Sequence, residues 1–110
     1  MKKLDMEVLF TAVAALVVLF VLALTAQAQD ASATLYKSKC SACHGPDGSG
    51  SATGKTMGAH DLSSADVQKM SDTELTTIIT DGKNKMPAYG KSLKPEQIQG
   101  LVAYIRTLKK

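Results

Sequence analysis

Cys40-Ser41-Ala42-Cys43-His44 holds both cysteines of the chain and one of its two histidines. Two thiols three residues apart, followed at once by an imidazole, suit three kinds of chemistry. They are covalent attachment of a haem, a redox dithiol, and half of a zinc site. On a helix three residues turn through about 300°, so Cys40 and Cys43 project to neighbouring points of one face. Each thiol is then placed to add to one of two vinyl groups of a porphyrin, with His44 swinging its imidazole beneath the iron. A redox dithiol needs strands around it in a βαβ setting, and this chain offers none. Zinc needs two further ligands at metal spacing, and outside the motif only His60 remains, with no third cysteine.

The surroundings read as short helices and loops. Leu35, Tyr36, Cys40, Cys43 and His44 recur at three- and four-residue intervals, which predicts an amphipathic helix over 31–44 ending near Gly45-Pro46. Five glycines between 45 and 58 predict a loop. Gly54-Lys55-Thr56 resembles the end of a phosphate loop, but Ser49 stands where that motif needs its first glycine, and no strand precedes it. These glycines are expected to let backbone pass close to a flat ring. Ser71-x-x-Glu74 is a capping-box pattern that opens a second helix, closed by Asp81-Gly82. Thr76 to Thr80 is β-branched throughout and favours a strand by propensity alone, so the start and stop signals decide for helix. After a loop over 83–93, Pro95 opens a third helix with Ile98, Leu101, Val102, Ile105 and Leu108 on one face. The expected class is all-α, three helices joined by two long loops. Loops of that length in so small a domain are expected to wrap a bulky ligand.

The N-terminus has a different composition. Lys2 and Lys3 precede an apolar run from Val8 to Leu24 and then Thr25-Ala26-Gln27-Ala28, the layout of a signal peptide with cleavage after Ala28. The apolar run also approaches the ~20 residues that span a bilayer, so an uncleaved anchor is the alternative. Either version delivers residues 29–110 to the far side of a bacterial inner membrane. The formal net charge of +3 gives no reason to expect nucleic acid and allows weak steering toward an acidic partner. A core this small commonly needs a metal, disulfides or a large apolar cofactor to supplement it.

Read together, "YKSKCSACHGPDGSG", "GKNKMPAYG" and "PEQIQGLVAYIRTL" resemble class I monohaem cytochrome c of the small bacterial, cytochrome-c6-like kind, over residues 31–108. The resemblance implies a small cytochrome c fold around one covalently bound haem c held by Cys40, Cys43, His44 and Met86, with His44 and Met86 as the axial metal ligands. A soft thioether suits ferrous iron and raises the potential, and Pro87 restricts Met86 to extended backbone. Met57 and His60 are the alternative sixth ligands, and Met70 reads as packing. Many relatives orient the proximal imidazole with the carbonyl of a proline that follows the haem motif. This chain has no proline between Pro46 and Pro87, which leaves the acceptor for His44 open. The implied function is a monomeric periplasmic electron carrier, not an enzyme, that meets redox partner proteins such as a membrane oxidoreductase, an oxidase or a dehydrogenase. A peroxidase-like or gas-binding protein with a labile Met86 bond, or an anchored haem module of a respiratory complex, are the alternatives. Membrane contact is expected only if the N-terminal segment is retained.

Overall fold

The computed structural model describes residues 2–110 and divides the chain into two units, one up to Asp30 and one from Ala31 to Lys110. The N-terminal methionine of the expected signal segment lies outside the described residues. Helix α1 (Lys2–Lys39) contributes to both units. Its first part is long and apolar enough to cross a membrane by length and composition, and its large apolar side chains are exposed throughout.

The second unit is helical. It contains the end of α1, α2 (Ser41–His44), α3 (Ala52–Thr56), α4 (Ala65–Gln68), α5 (Asp72–Asp81) and α6 (Pro95–Thr107). The described residues form no strand. The one β-bridge pairs Lys83 with Met86 across a two-residue turn. The expected all-α class holds, and the three anticipated helices correspond to the α1 end with α2, to α5 and to α6. The first of them is interrupted at Cys40, whose φ of −116° departs from helical geometry. The connection after it differs from the expected loop in containing α3 and α4. Each short helix is opened by a serine whose hydroxyl accepts a backbone N–H three residues on, Ser51 from Gly54 and Ser64 from Val67.

Helix α5 prevails over its β-branched sequence because both arms of its cap form. Ser71 Oγ accepts from Glu74 N at 3.1 Å, and Glu74 Oε2 accepts from Ser71 N at 2.7 Å. Its buried residues, Leu75 and Ile79, stand four apart and face the buried stripe Ile98, Leu101, Val102 and Ile105 of α6. Tyr36 from the end of α1 completes this core at 2% exposure, its ring 4.8 Å from that of Tyr104. Where α6 crosses α1, a side chain on Gly100 would run into Ser32.

Arg106 ties the start of α5 to α6. Its guanidinium donates to Gln68 O at 3.0 Å, to Met70 O at 2.6 Å and to Asp72 Oδ1 at 2.8 Å. The carbonyls are the larger part of this contact, because a solvent-facing ion pair is worth at most ~1 kcal/mol. Arg106→Ala is therefore expected to cost about 1.5–3 kcal/mol in denaturant unfolding, and Asp72→Ala under ~1 kcal/mol. Equal losses from the two would place the energy in the ion pair instead.

Candidate functional site

Helix α2 is a single turn, and its carbonyls face the shortage common to every helix end. The chain that follows satisfies all four. Ser41 O accepts from Gly45 N at 2.8 Å, Cys43 O from Ser51 N at 3.0 Å and His44 O from Gly50 N at 2.7 Å. Ala42 O accepts from the Ser51 hydroxyl at 2.6 Å. The same hydroxyl accepts from Gly54 N at 2.9 Å, so one serine joins the end of α2 to the start of α3. Gly54 lies directly on Cys43. A β-carbon built there would overlap the Cys43 carbonyl oxygen outright and come within 2.6 Å of its carbon. This corrects the expectation for that glycine: the backbone it admits is that of the cysteine motif, not a ring.

The exit from the motif is pinned from the other side by Tyr36, whose buried hydroxyl donates to Gly45 O at 2.7 Å. Burial, together with the nearby Cys40 thiol, raises this phenol well above its ordinary value, so it remains a donor throughout the accessible range. Removing the hydroxyl in Tyr36→Phe is expected to cost about 1 kcal/mol, read as a lower unfolding midpoint with the core packing retained. An unchanged midpoint would count against the bond.

Cys40 and Cys43 are free and half-buried. Burial, with a smaller contribution from Cys43, pushes the Cys40 thiol up to about 11. Redox dithiols work through a thiolate of lowered pKa, so this environment opposes that reading of the motif. The zinc reading also fails, since among the described residues no group of three His, Cys, Asp or Glu could hold a metal ion. What remains is a pair of shielded thiols at the join of α1 and α2, with an imidazole one residue on.

The acceptor for His44, unassigned from sequence, is the backbone carbonyl of His60, 3.3 Å from Nδ1. A carbonyl has no proton to give, so Nδ1 carries the proton. The neutral ring then keeps the Nε2 lone pair for a metal. Burial lowers the proton affinity of His44, which favours that neutral form. The His60 side chain itself is exposed. Its contribution to the site is its peptide carbonyl, a role that side-chain types do not reveal.

Met86 is half-buried and packs against the hydrophobic core, as do Cys40 and Met70, whereas Met57 is 40% exposed at the end of α3. The segment carrying Met86 is fastened to the C-terminal end of α5. Ile79 O and Thr80 O accept from Tyr89 N at 2.9 Å and Gly90 N at 3.0 Å. Lys83 and Met86 exchange backbone hydrogen bonds of 3.2 and 2.9 Å around Asn84, which has a φ of +53°. Gly82, at φ +75°, lies so close that a β-carbon would come within 2.6 Å of Met86 O. Tyr89 extends from this segment to donate its hydroxyl to Lys39 O at 3.0 Å, beside Cys40. The residues proposed from sequence thus come from two fastened segments, the α1–α2 join and the loop after α5. Both suit a c-type haem in donor chemistry: two thiols for the bonds to the ring, a neutral imidazole with Nε2 available, and a shielded thioether.

Sequence reasoning missed the supporting residues Ser51, Tyr36, Asp61 and Ser63. The Asp-x-Ser pattern was a usable signal for the last pair, because aspartate accepts from the second residue after it in a tight turn. It occurs twice. Asp47 Oδ1 accepts from Ser49 Oγ at 2.6 Å and Ser49 N at 3.0 Å, and Asp61 Oδ1 from Ser63 Oγ at 2.5 Å and Ser63 N at 2.8 Å. The serine hydroxyls first, then the backbone N–H groups, hold both carboxyls below the usual carboxylate range. A carboxyl lowered on folding contributes stability above its unfolded pKa and loses it as pH falls through the folded value. Ser49→Ala is therefore expected to melt slightly below the parent protein at neutral pH and to converge with it in acid. A gap that widens in acid would contradict the sign.

Comparison with known proteins places these features. A protein-family model described as cytochrome c oxidase, cbb3-type, subunit III matches residues 27–105. A cytochrome c6 of Anabaena variabilis is 35% identical over 78 residues, which cover 66% of this chain and 83% of that protein. A cytochrome c6 of Limnospira maxima is 30% identical over 78 residues, covering 68% and 86%. The cbb3-type cytochrome c oxidase subunit CcoP of Azospirillum brasilense is 34% identical over 97 residues, covering 81% of this chain but 33% of that subunit. Among solved structures, the KustC0563 c-type cytochrome superposes with a TM-score of 0.69 at 33% identity, over 72% of this chain and 98% of that one.

Proposed function

Because the chain belongs to the cytochrome c domains of the cbb3 subunit III family, as a small class I monohaem member, we propose that it is an exported electron carrier with His44 and Met86 as axial ligands. When bound, the covalent haem c supplies a one-electron Fe(II)/Fe(III) couple. Cys40 and Cys43 hold the ring edge to the α1–α2 join. His44 presents Nε2, and its orientation is held at Nδ1 by the His60 carbonyl. Met86 offers its thioether from the loop anchored on α5. With His44 and Met86 both holding the iron from fastened segments, the group would have no position left for a substrate, which suits electron transfer without bond chemistry. Its redox partners are met weakly and briefly, as small electron-transfer contacts are.

The observation that carries this reading is the His44 imidazole held in the metal-binding tautomer inside a Cys-x-x-Cys-His turn. We place the domain, residues 29–110, outside the inner membrane, with residues 1–28 as its export signal. A second reading is favoured by the apolar stretch of α1 and by the likeness to CcoP: retention of that stretch would make the domain an anchored haem module. The mass of the loaded protein after denaturation tests both. Polypeptide from Gln29 plus one haem supports the soluble carrier, full-length polypeptide plus haem the anchored module, and polypeptide without haem neither. A low-spin ferric spectrum with the weak red band of sulfur ligation is expected. A high-spin spectrum would favour the peroxidase-like or gas-binding alternative.

A further inference from the structure

No proline lies between Pro46 and Pro87, so no proline ring fixes the carbonyl that meets His44, and the hold comes from hydrogen bonds and packing around it. That carbonyl belongs to the peptide bond between His60 and Asp61, and its direction follows the backbone on either side. Upstream, Ala59 N donates to Gly54 O at 2.8 Å, which ties the approach to α3. Downstream, Asp61 is held at three points. Its carboxylate takes two hydrogen bonds from Ser63, its own carbonyl accepts from Ser64 Oγ at 2.6 Å, and the next N–H, that of Leu62, donates to Gly48 O at 2.8 Å. Ser63 is 5% exposed and Leu62 8%, so the turn is seated in the protein. The His60 side chain is exposed and contributes no such hold.

We propose that the Asp61–Ser63 turn is the positioning element for the His44 imidazole, with Asp61 as the positioning residue that aims the His60 carbonyl at Nδ1–H. The inference rests on His44 being the proximal ligand. The hydrogen bond raises the donor strength of a ligating imidazole and fixes its plane. A well-aimed carbonyl therefore favours the oxidised state, and a wandering one leaves the potential more positive.

The test compares Asp61→Ala with Asp61→Asn in the haem-loaded protein. Both remove the charge, but asparagine keeps an oxygen that accepts from Ser63. Two readouts are used: exchange of the His44 Nδ1 proton with solvent, followed by ¹⁵N NMR in the reduced state, and the midpoint potential. Asp61→Asn is expected to retain the protection of that proton. Asp61→Ala is expected to exchange it about tenfold faster and to have the more positive potential of the two. Identical exchange and potential in the two variants would overturn the proposal. If Asp61→Ala yields no loaded protein, Ser63→Ala, which preserves the charge and one of the two bonds, is expected to accelerate exchange to a smaller extent. Exchange as slow as in the parent protein would then overturn it. The underlying ligand reading is checked separately, in the unaltered reduced protein. His44 ring resonances without the upfield shifts of an axial ligand would remove that reading and this inference with it.

Discussion

Gly54→Ala is expected to yield little or no folded, haem-loaded protein. The methyl group has nowhere to go, because its position coincides with the Cys43 carbonyl oxygen, and both partners are backbone. Relief requires separating α3 from α2. That breaks the Ser51 N–H bond to Cys43 O and the Ser51 hydroxyl bond to Ala42 O, and shifts the turn that carries both thiols and the imidazole. Steric overlap between two backbone segments and the lost hydrogen bonds together place the cost above ~4 kcal/mol, against a total of about 5–15 kcal/mol for a domain. Gly58→Ala is the matched control. Its φ of +84° strains any side chain, but nothing lies within 4 Å of the added carbon, so a loss of about 1 kcal/mol is expected. Holoprotein yield and thermal midpoint measure both. Similar behaviour of the two alanines would mean that the α2–α3 contact is softer than its geometry indicates.

Met86→Ala is the second large effect, and it follows from the proposed ligation. The haem remains attached, since attachment depends on Cys40 and Cys43, but the red band of ferric sulfur ligation disappears. The potential falls by on the order of a tenth of the roughly 0.8 V that axial ligand identity spans, because a soft thioether favours the ferrous state. Met57→Ala leaves band and potential unchanged, as its 40% exposed position on α3 implies. Gly82→Ala acts in the same direction as Met86→Ala and less strongly. A β-carbon there meets Met86 O at a positive φ, so the loop must move without losing its sulfur. Absorption spectra and redox titrations of the three variants decide. Survival of the band in Met86→Ala and its loss in Met57→Ala would transfer the ligand role to Met57.

The elements differ in how far they could be read without coordinates. Helix α6 was legible but for its end: the spacing of Ile98, Leu101, Val102 and Ile105 is that of one helical face and all four are buried, whereas Leu108, expected on the same face, caps the helix just past Thr107 and is half-buried. Helix α5 was legible through its ends rather than its middle, since Ser71 and Glu74 form the capping box their spacing announced. Helices α3 and α4 were hidden. Gly54 inside α3 has low helix propensity and by composition belongs to a loop, yet it is tolerated because its missing side chain lets α3 lie on Cys43. The candidate ligands were visible as residue types at informative spacing. Their supports were not, because a backbone carbonyl at His60 looks the same in sequence as any other carbonyl.

What the sequence alone determined about this protein is its local chemistry: a Cys-x-x-Cys-His turn, a Met-Pro loop, capped helices and an apolar N-terminal stretch. These depend on intervals of a few residues, and short-range geometry is set by dihedral angles and helical periodicity. Only the tertiary structure decided which distant groups complete them. The His60 carbonyl meets His44 across sixteen positions and Tyr89 reaches Lys39 across fifty. Such pairings are selected by the packing of the whole core, which satisfies each buried polar group with whatever partner the fold brings within reach.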